Sequence, residues 1–288
     1  MKVLLILPAG ENVRVTRDRP RVSKREMLQF SVLLLTIVAA LAVLIWLPRI
    51  PQNPAYHNFA DQRGWLGIPN AMDVASSLPL VVIGAVGLVL CRRTRQTELR
   101  GMKAMLFCAV ALTGFGSAYY HWRPTNETLV WDRLPLAAMF MAFFAVIIAD
   151  RVSLQAGRRL FWPLVGVGVL SVVQWWWSER CGVGDLRLYG LAQFLPMLLL
   201  PVMVTMQPGW FTRNRELWWV LGFYALAKVC EAGDAVVFGW THCISGHTLK
   251  HLCAGVAAWC MVRMLTNKAV VAMPGELPTL AQTKGAVG

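Results

Sequence analysis

Charge is what this 288-residue sequence has least of. Asp, Glu, Lys and Arg make up 15% of it, where a soluble domain carries about 25%. Apolar residues reach 57%, and the mean hydropathy is +0.51. That balance excludes a disordered chain and argues against an ordinary water-soluble enzyme. Paired cysteines are also missing: the seven cysteines include no CxxC and form no small disulfide framework. The opening MKVLLILPAG has an apolar run too short for a signal-peptide core, and a long basic stretch follows it. The start of the chain therefore reads as a cytosolic tail. No phosphate loop is present either. The Gly-Phe-Gly-Ser run at 114–117 sits in an apolar stretch, with no strand before it and no Lys-Ser/Thr after it.

What is abundant is apolar sequence in long runs. About 20 such residues cross a bilayer core of roughly 30 Å, and eight stretches qualify: 30–47, 70–91, 102–121, 134–149, 160–177, 186–206, 217–238 and 246–265. Each must be helical, because lipid offers backbone N–H and C=O groups no other partner. The expected fold is all-α, a polytopic transmembrane helix bundle. Residues 1–28 read as a basic tail and 266–288 as a flexible one.

The formal net charge of +13 would suggest nucleic acid in a soluble protein. Sorted by loop, it says something else. Twenty Lys and Arg fall before the first span, between spans two and three, after spans four and six, and at the C-terminal end. Six fall on the opposite side: Arg49, Arg63, Arg123, Arg133, Arg180 and Arg187. Such asymmetry is the positive-inside signal, placing both termini in the cytosol. No basic face with its own fold remains for nucleic acid, and nothing implies an obligate protein partner. Trp122, Trp131, Trp175–Trp177 and Trp240 at the other ends of the spans suit an aromatic belt.

Ionisable groups inside a membrane are costly and invite a functional hypothesis. Here they gather near one face. The third span ends at Ser117 and His121, Asp132 precedes the fourth, and the eighth opens with His247 and His251. Residues four apart share a helix face, so His247 and His251 present two imidazoles together. With His121 they can offer zinc three nitrogens and leave a fourth position for water. Zinc lowers the pKa of a bound water to roughly 7. Asp132 is placed to act as general base and then acid, and Ser117 to hydrogen-bond the water or an oxyanion. The plain alternatives are an Asp132–Arg133 ion pair or helix cap, and a Ser117 bond to the carbonyl one turn back.

The run Gly114-Phe-Gly-Ser-Ala-Tyr-Tyr-His121, then Asp132 in Trp-Asp-Arg-Leu-Pro, then Ser-Gly-His247-Thr-Leu-Lys-His251, resembles the alkaline ceramidases. These belong to the CREST group of seven-span membrane hydrolases, which includes the adiponectin receptors. The resemblance covers 61–265 and makes the span at 29–48 an N-terminal addition to a seven-span core. It implies His121, His247 and His251 as zinc ligands, Asp132 as acid/base and Ser117 as stabiliser. The implied reaction is hydrolysis of the amide of ceramide or another N-acyl lipid, giving an amine and a fatty acid. The site would face the periplasm or an organelle lumen. The family's acidic calcium stretch is only partly met: Asp61, Asn70 and Asp73 stand in that region, but a glutamate is missing and Arg63 intrudes.

Three further readings follow from the residues. Lys228, Glu231, Asp234 and Lys250 are either supports that orient the site or pairs that avoid lone charge in lipid. Cys181 and Cys243 both fall in outer loops, where a disulfide is permitted. A receptor-like protein of the same fold is the rival to an enzyme. A transporter using Asp73, Lys228, Glu231 and Asp234 would show inverted repeats, and none is evident.

Overall fold

Apolar runs that must satisfy their own backbone become helices, and the computed structural model of the chain consists of them. It describes residues 5–6, 12–13, 24–93, 97–206 and 209–266. The tails expected over 1–28 and 266–288 lie for the most part outside these residues. The helices are α1 (Lys24–Trp46), α2 (Ala71–Cys91), α3 (Arg100–Trp122), α4 (Asn126–Arg151), α5 (Leu154–Arg180), α6 (Arg187–Met206), α7 (Asn214–Ala232), α8 (Asp234–Thr241) and α9 (Gly246–Thr266). A two-residue antiparallel pairing joins β1 (Leu5–Ile6) to β2 (Asn12–Val13).

Helices α1 to α6 are long and apolar enough to cross a membrane. The protein is a membrane-embedded polytopic helix bundle. Helices α7 and α9, at 19 and 21 residues, have spanning length but a more polar composition. The residues that make them polar, among them Lys228, Glu231, His247, Lys250 and His251, are those singled out above. The seventh expected span, 217–238, is not continuous: it divides at Gly233 into α7 and α8. Helix α4 starts earlier than expected. Thr125 caps it, accepting from the Thr128 N–H while the Thr128 hydroxyl bonds back to the Thr125 N–H. Asp132 is therefore inside the second turn of α4, not a cap ahead of it.

Helix α2 packs between α3 and α9, α4 between α3 and α5, and α7 against α9. Helix α6 lies on α4 and α5 and meets α7 only marginally. Small residues set the close approaches. A Cβ on Gly84 would collide with the backbone of Ala111, and one on Gly168 would stand 2.8 Å from the Ala137 carbonyl. The core of Leu106, Phe107, Phe143, Val146 and Ile147 is closed completely. At the end of the bundle away from the histidines, Arg151 bonds Asp150, Thr212 and Asn214, tying α4 to the loop before α7. Helix α1 stands apart. Its chief neighbour is α6, and Leu34, Leu35, Val43 and Ile45 are exposed along it, as suits a helix facing lipid.

Candidate metal centre

Two helices bring the histidines together. His121 comes from the last turn of α3, and His247 and His251 come from the first two turns of α9. All three are buried, and one ligand atom from each lies within 4.8 Å of the other two. Among the described residues this is the one cluster able to hold a metal ion. The Nε2 atoms of His121 and His251 are 3.2 Å apart. His251 Nδ1 lies 2.9 Å from Ser76 Oγ, whose hydroxyl in turn reaches the Asp73 carbonyl. That chain gives Nδ1 the ring proton and leaves the Nε2 lone pair facing the cluster, the outer-sphere arrangement that metal-ligating histidines use. The His121 Nδ1 is buried without a partner. A cation between the facing nitrogens removes the repulsion of their lone pairs, so the residues present fit a metal ion.

The loop before α2 and the start of α9 hold these imidazoles in place. Phe59 packs against His121 and His247, with ring centroids 4.6 and 4.8 Å away. Asp234, in the first turn of α8, accepts from the backbone N–H of His247 at 2.7 Å and of Ala60 at 2.9 Å. It thereby ties α9 and the Phe59 loop to one carboxylate. Gly246 makes room for this junction, because a Cβ there would strike the Cys230 carbonyl and the Asp234 backbone. His57, outside the cluster, bridges Tyr120 and Asn126 at 2.9 and 3.1 Å.

Ser117 and Asp132 stand beside the histidines. Ser117 Oγ is 3.5 Å from His251 Nε2 and 3.1 Å from Ser77 Oγ. Asp132 faces Ser117, Lys250 and Arg133. Lys228 and Lys250 both converge on the Glu231 carboxylate, Lys250 at 2.9 Å. Lys250 Nζ also lies 3.1 Å from His247 Nε2. Lys228, Glu231, Asp234 and Lys250 thus touch the cluster or residues bonded to it.

Two expectations take a different form. Asp61, Asn70 and Asp73 each bond within the protein, and Asp73 Oδ2 is left buried without a partner. Both Asp61 oxygens are taken by Arg63, at 2.8 and 2.7 Å, and the Asn70 amide donates to the His121 carbonyl at 2.8 Å. Asp73 Oδ1 accepts from Thr248 at 2.7 Å. Arg63 holds the Asp61 carboxyl below its usual range through those bonds. These residues brace the histidine helices. Cys181 and Cys243 are both free and exposed. Cys181 ends α5, whereas Cys243 follows α8, a helix against which α5 does not pack, and its carbonyl accepts from Arg63 at 2.8 Å.

The cluster opens on a cavity of about 910 Å3. Its polar lining includes Ser117, Asp132, Arg133, Lys228, Glu231, Lys250 and His251, and apolar residues of α1, α6 and α7 form most of the rest, such as Leu44, Leu198 and Val220. Ser76 and Ser77, which bond His251, are not among the residues singled out from the sequence. Their signal was two adjacent hydroxyls three and four residues after an aspartate within an apolar helix. Arg133, counted from sequence among the loop charges, is buried in the cavity wall. No family model, curated protein or solved structure matches the chain.

Proposed function

We propose that the protein is a zinc-dependent membrane amidase that hydrolyses ceramide or a related N-acyl lipid. One observation carries the proposal: in a cluster of three buried histidines, His251 joins Ser117 and Asp132 in lining a largely apolar cavity inside a membrane bundle. Two nitrogens bound to tetrahedral zinc at about 2.0–2.1 Å stand roughly 3.3 Å apart, close to the 3.2 Å between His121 and His251 Nε2. The resemblance of Ser117, His121, Asp132, His247 and His251 to the alkaline ceramidases points the same way.

A zinc ion held by the three histidines supplies Lewis acidity, bringing a water's pKa to roughly 7. The chain's own residues do the remainder. Asp132 accepts the proton of the attacking water and returns it to the amide nitrogen as the C–N bond breaks. The acyl carbon leaves as a carboxylic acid, and the nitrogen leaves as an amine. The Ser117 hydroxyl donates to the oxygen on which negative charge develops. The apolar walls take the acyl chain and exclude water from it.

Purified protein is to be given labelled ceramide and, separately, labelled N-acylethanolamine, each with and without chelator. Release of fatty acid that stops with chelator and returns with zinc is the expected result. Full activity in zinc-free protein would overturn the mechanism. Bound zinc without hydrolysis of either lipid would favour the receptor-like reading.

A further inference from the structure

Arg133 lies one residue beyond Asp132, is only 5% exposed, and forms part of the cavity wall. A guanidinium stays charged wherever it is placed, so its surroundings must answer that charge. The other cations of the wall are answered by carboxylates: Lys228 and Lys250 by Glu231, and Arg187 by Asp185. Among the described residues no carboxylate forms an ion pair with Arg133.

What surrounds it instead is an aromatic cage. The Arg133 Cζ lies 4.2 Å from the Trp175 ring centroid, 4.8 Å from that of Tyr189 and 5.5 Å from that of Tyr56. Ring faces hold a guanidinium by its flat sides and leave its in-plane N–H groups free to donate. Nη2 donates to Gln52 Oε1 at 2.7 Å. Nη1 is buried and has no hydrogen-bond partner. The cage thus fixes a planar, permanently charged donor in the wall of a lipid-sized cavity, with one edge unanswered.

We propose that Arg133 is a specificity-determining residue that receives an anionic oxygen, a carboxylate at the polar end of a long acyl chain. This rests on the amidase reading for the identity of the chain-bearing ligand and narrows it to acidic N-acyl lipids, such as N-acyl amino acids. The same carboxylate chemistry belongs to the fatty-acid product. Tyr56 connects this residue to the histidine cluster: its hydroxyl lies 3.5 Å from Glu231, which holds Lys250 beside His247. An anion on Nη1 therefore sits in the same polar wall as the groups proposed to cut the amide.

The test is competition binding on the full chain in lipid nanodiscs. Tritiated N-oleoylglycine serves as probe, against unlabelled N-oleoylglycine, oleate and the neutral N-oleoylethanolamine, with released glycine measured in the same samples. N-oleoylglycine is expected to bind at least tenfold more tightly than N-oleoylethanolamine. Arg133→Gln is expected to abolish that preference while keeping affinity for the neutral lipid. Oleate binding as tightly as N-oleoylglycine, with the same dependence on Arg133, assigns the pocket to the product carboxylate. If Arg133→Gln does not accumulate, Arg133→Lys keeps the charge without the planar fork and is expected to lower the preference at least threefold. Equal affinity of wild-type protein for the acidic and neutral lipids, or a preference that survives Arg133→Gln, overturns the proposal. Glycine release reports separately on the amidase reading, which fails if no lipid is hydrolysed even where the anion preference holds.

Discussion

At the scale of single residues, the two halves of the site differ in what they ought to lose. His121 turns a nitrogen toward that of His251 at 3.2 Å, as a metal ligand would. Its removal leaves two of three ligands, so His121→Ala is expected to abolish stoichiometric zinc, measured by mass spectrometry of the purified protein. Asp132 belongs to no ligand set among the described residues, and it faces Ser117 and Lys250. Asp132→Asn keeps the shape and removes the proton acceptor. It is expected to retain full zinc while hydrolysis falls by roughly 10²- to 10⁴-fold, the usual reach of a general base. A variant that lost zinc and activity together would make Asp132 a ligand, and the division of roles drawn above would fail. The two residues should separate cleanly in one pair of assays.

At the scale of elements, the position of Asp132 depends on how closely α4 approaches α3. Gly116 is the contact point, because a Cβ there would run into the Trp131 carbonyl, one residue before Asp132. Backbone cannot step aside as a flexible side chain can. Gly116→Ala is expected to push α4 outward, costing about 1–3 kcal/mol as overpacking does, and to lower hydrolysis at least tenfold with zinc retained. An unchanged melting temperature and rate would show that the helices do not need this approach. The sequence made much of this legible. The histidine spacing on α9 and the serine one turn before His121 follow from helical periodicity alone, and the apolar runs became helices. The rest depended on contacts between distant segments. Nothing local says that Asp61 would bond Arg63 through both oxygens, or that Arg133 would turn into an aromatic cage. The break at Gly233 likewise answers the packing of Gly246 against Asp234, 12 residues further on.

The loop between α1 and α2 makes a second prediction at this scale. Arg63 bonds Asp61 and also the carbonyls of His242 and Cys243 at 3.0 and 2.8 Å, so it clamps the segment leading into α9. Because Arg63 holds the Asp61 carboxyl below its usual range, the clamp is complete above the unfolded value of about 3.9 and is lost as pH falls through the lower folded value. The melting temperature of wild-type protein is therefore expected to drop as pH is taken from 5 to 3. Arg63→Gln should start lower at pH 7 and show a shallower acid limb. Parallel acid limbs in the two proteins would mean that this pair contributes nothing to the pH dependence.

At the scale of the whole molecule, the remaining question is which side of the membrane the histidine end faces. The sequence carries an expectation by sign: the loops assigned to the side of both termini hold twenty Lys and Arg in sequence and the other side six, which predicts a histidine end facing away from the cytosol. The chain carries its own reporters for this. Cys181 ends α5 and Cys243 precedes α9, both at the histidine end, and both thiols are free and exposed. Cys108 is also exposed but lies within α3, where lipid keeps out the water that a charged maleimide and a thiolate both need. A membrane-impermeant maleimide added to intact cells is therefore expected to label the protein. The Cys181→Ser, Cys243→Ser double variant should lose that label without losing zinc, since neither thiol belongs to the cluster. Labelling only after the membrane is opened would place the site on the cytosolic side and invert the orientation drawn from charge. The same substitutions thus decide the orientation of the site while leaving its chemistry untouched.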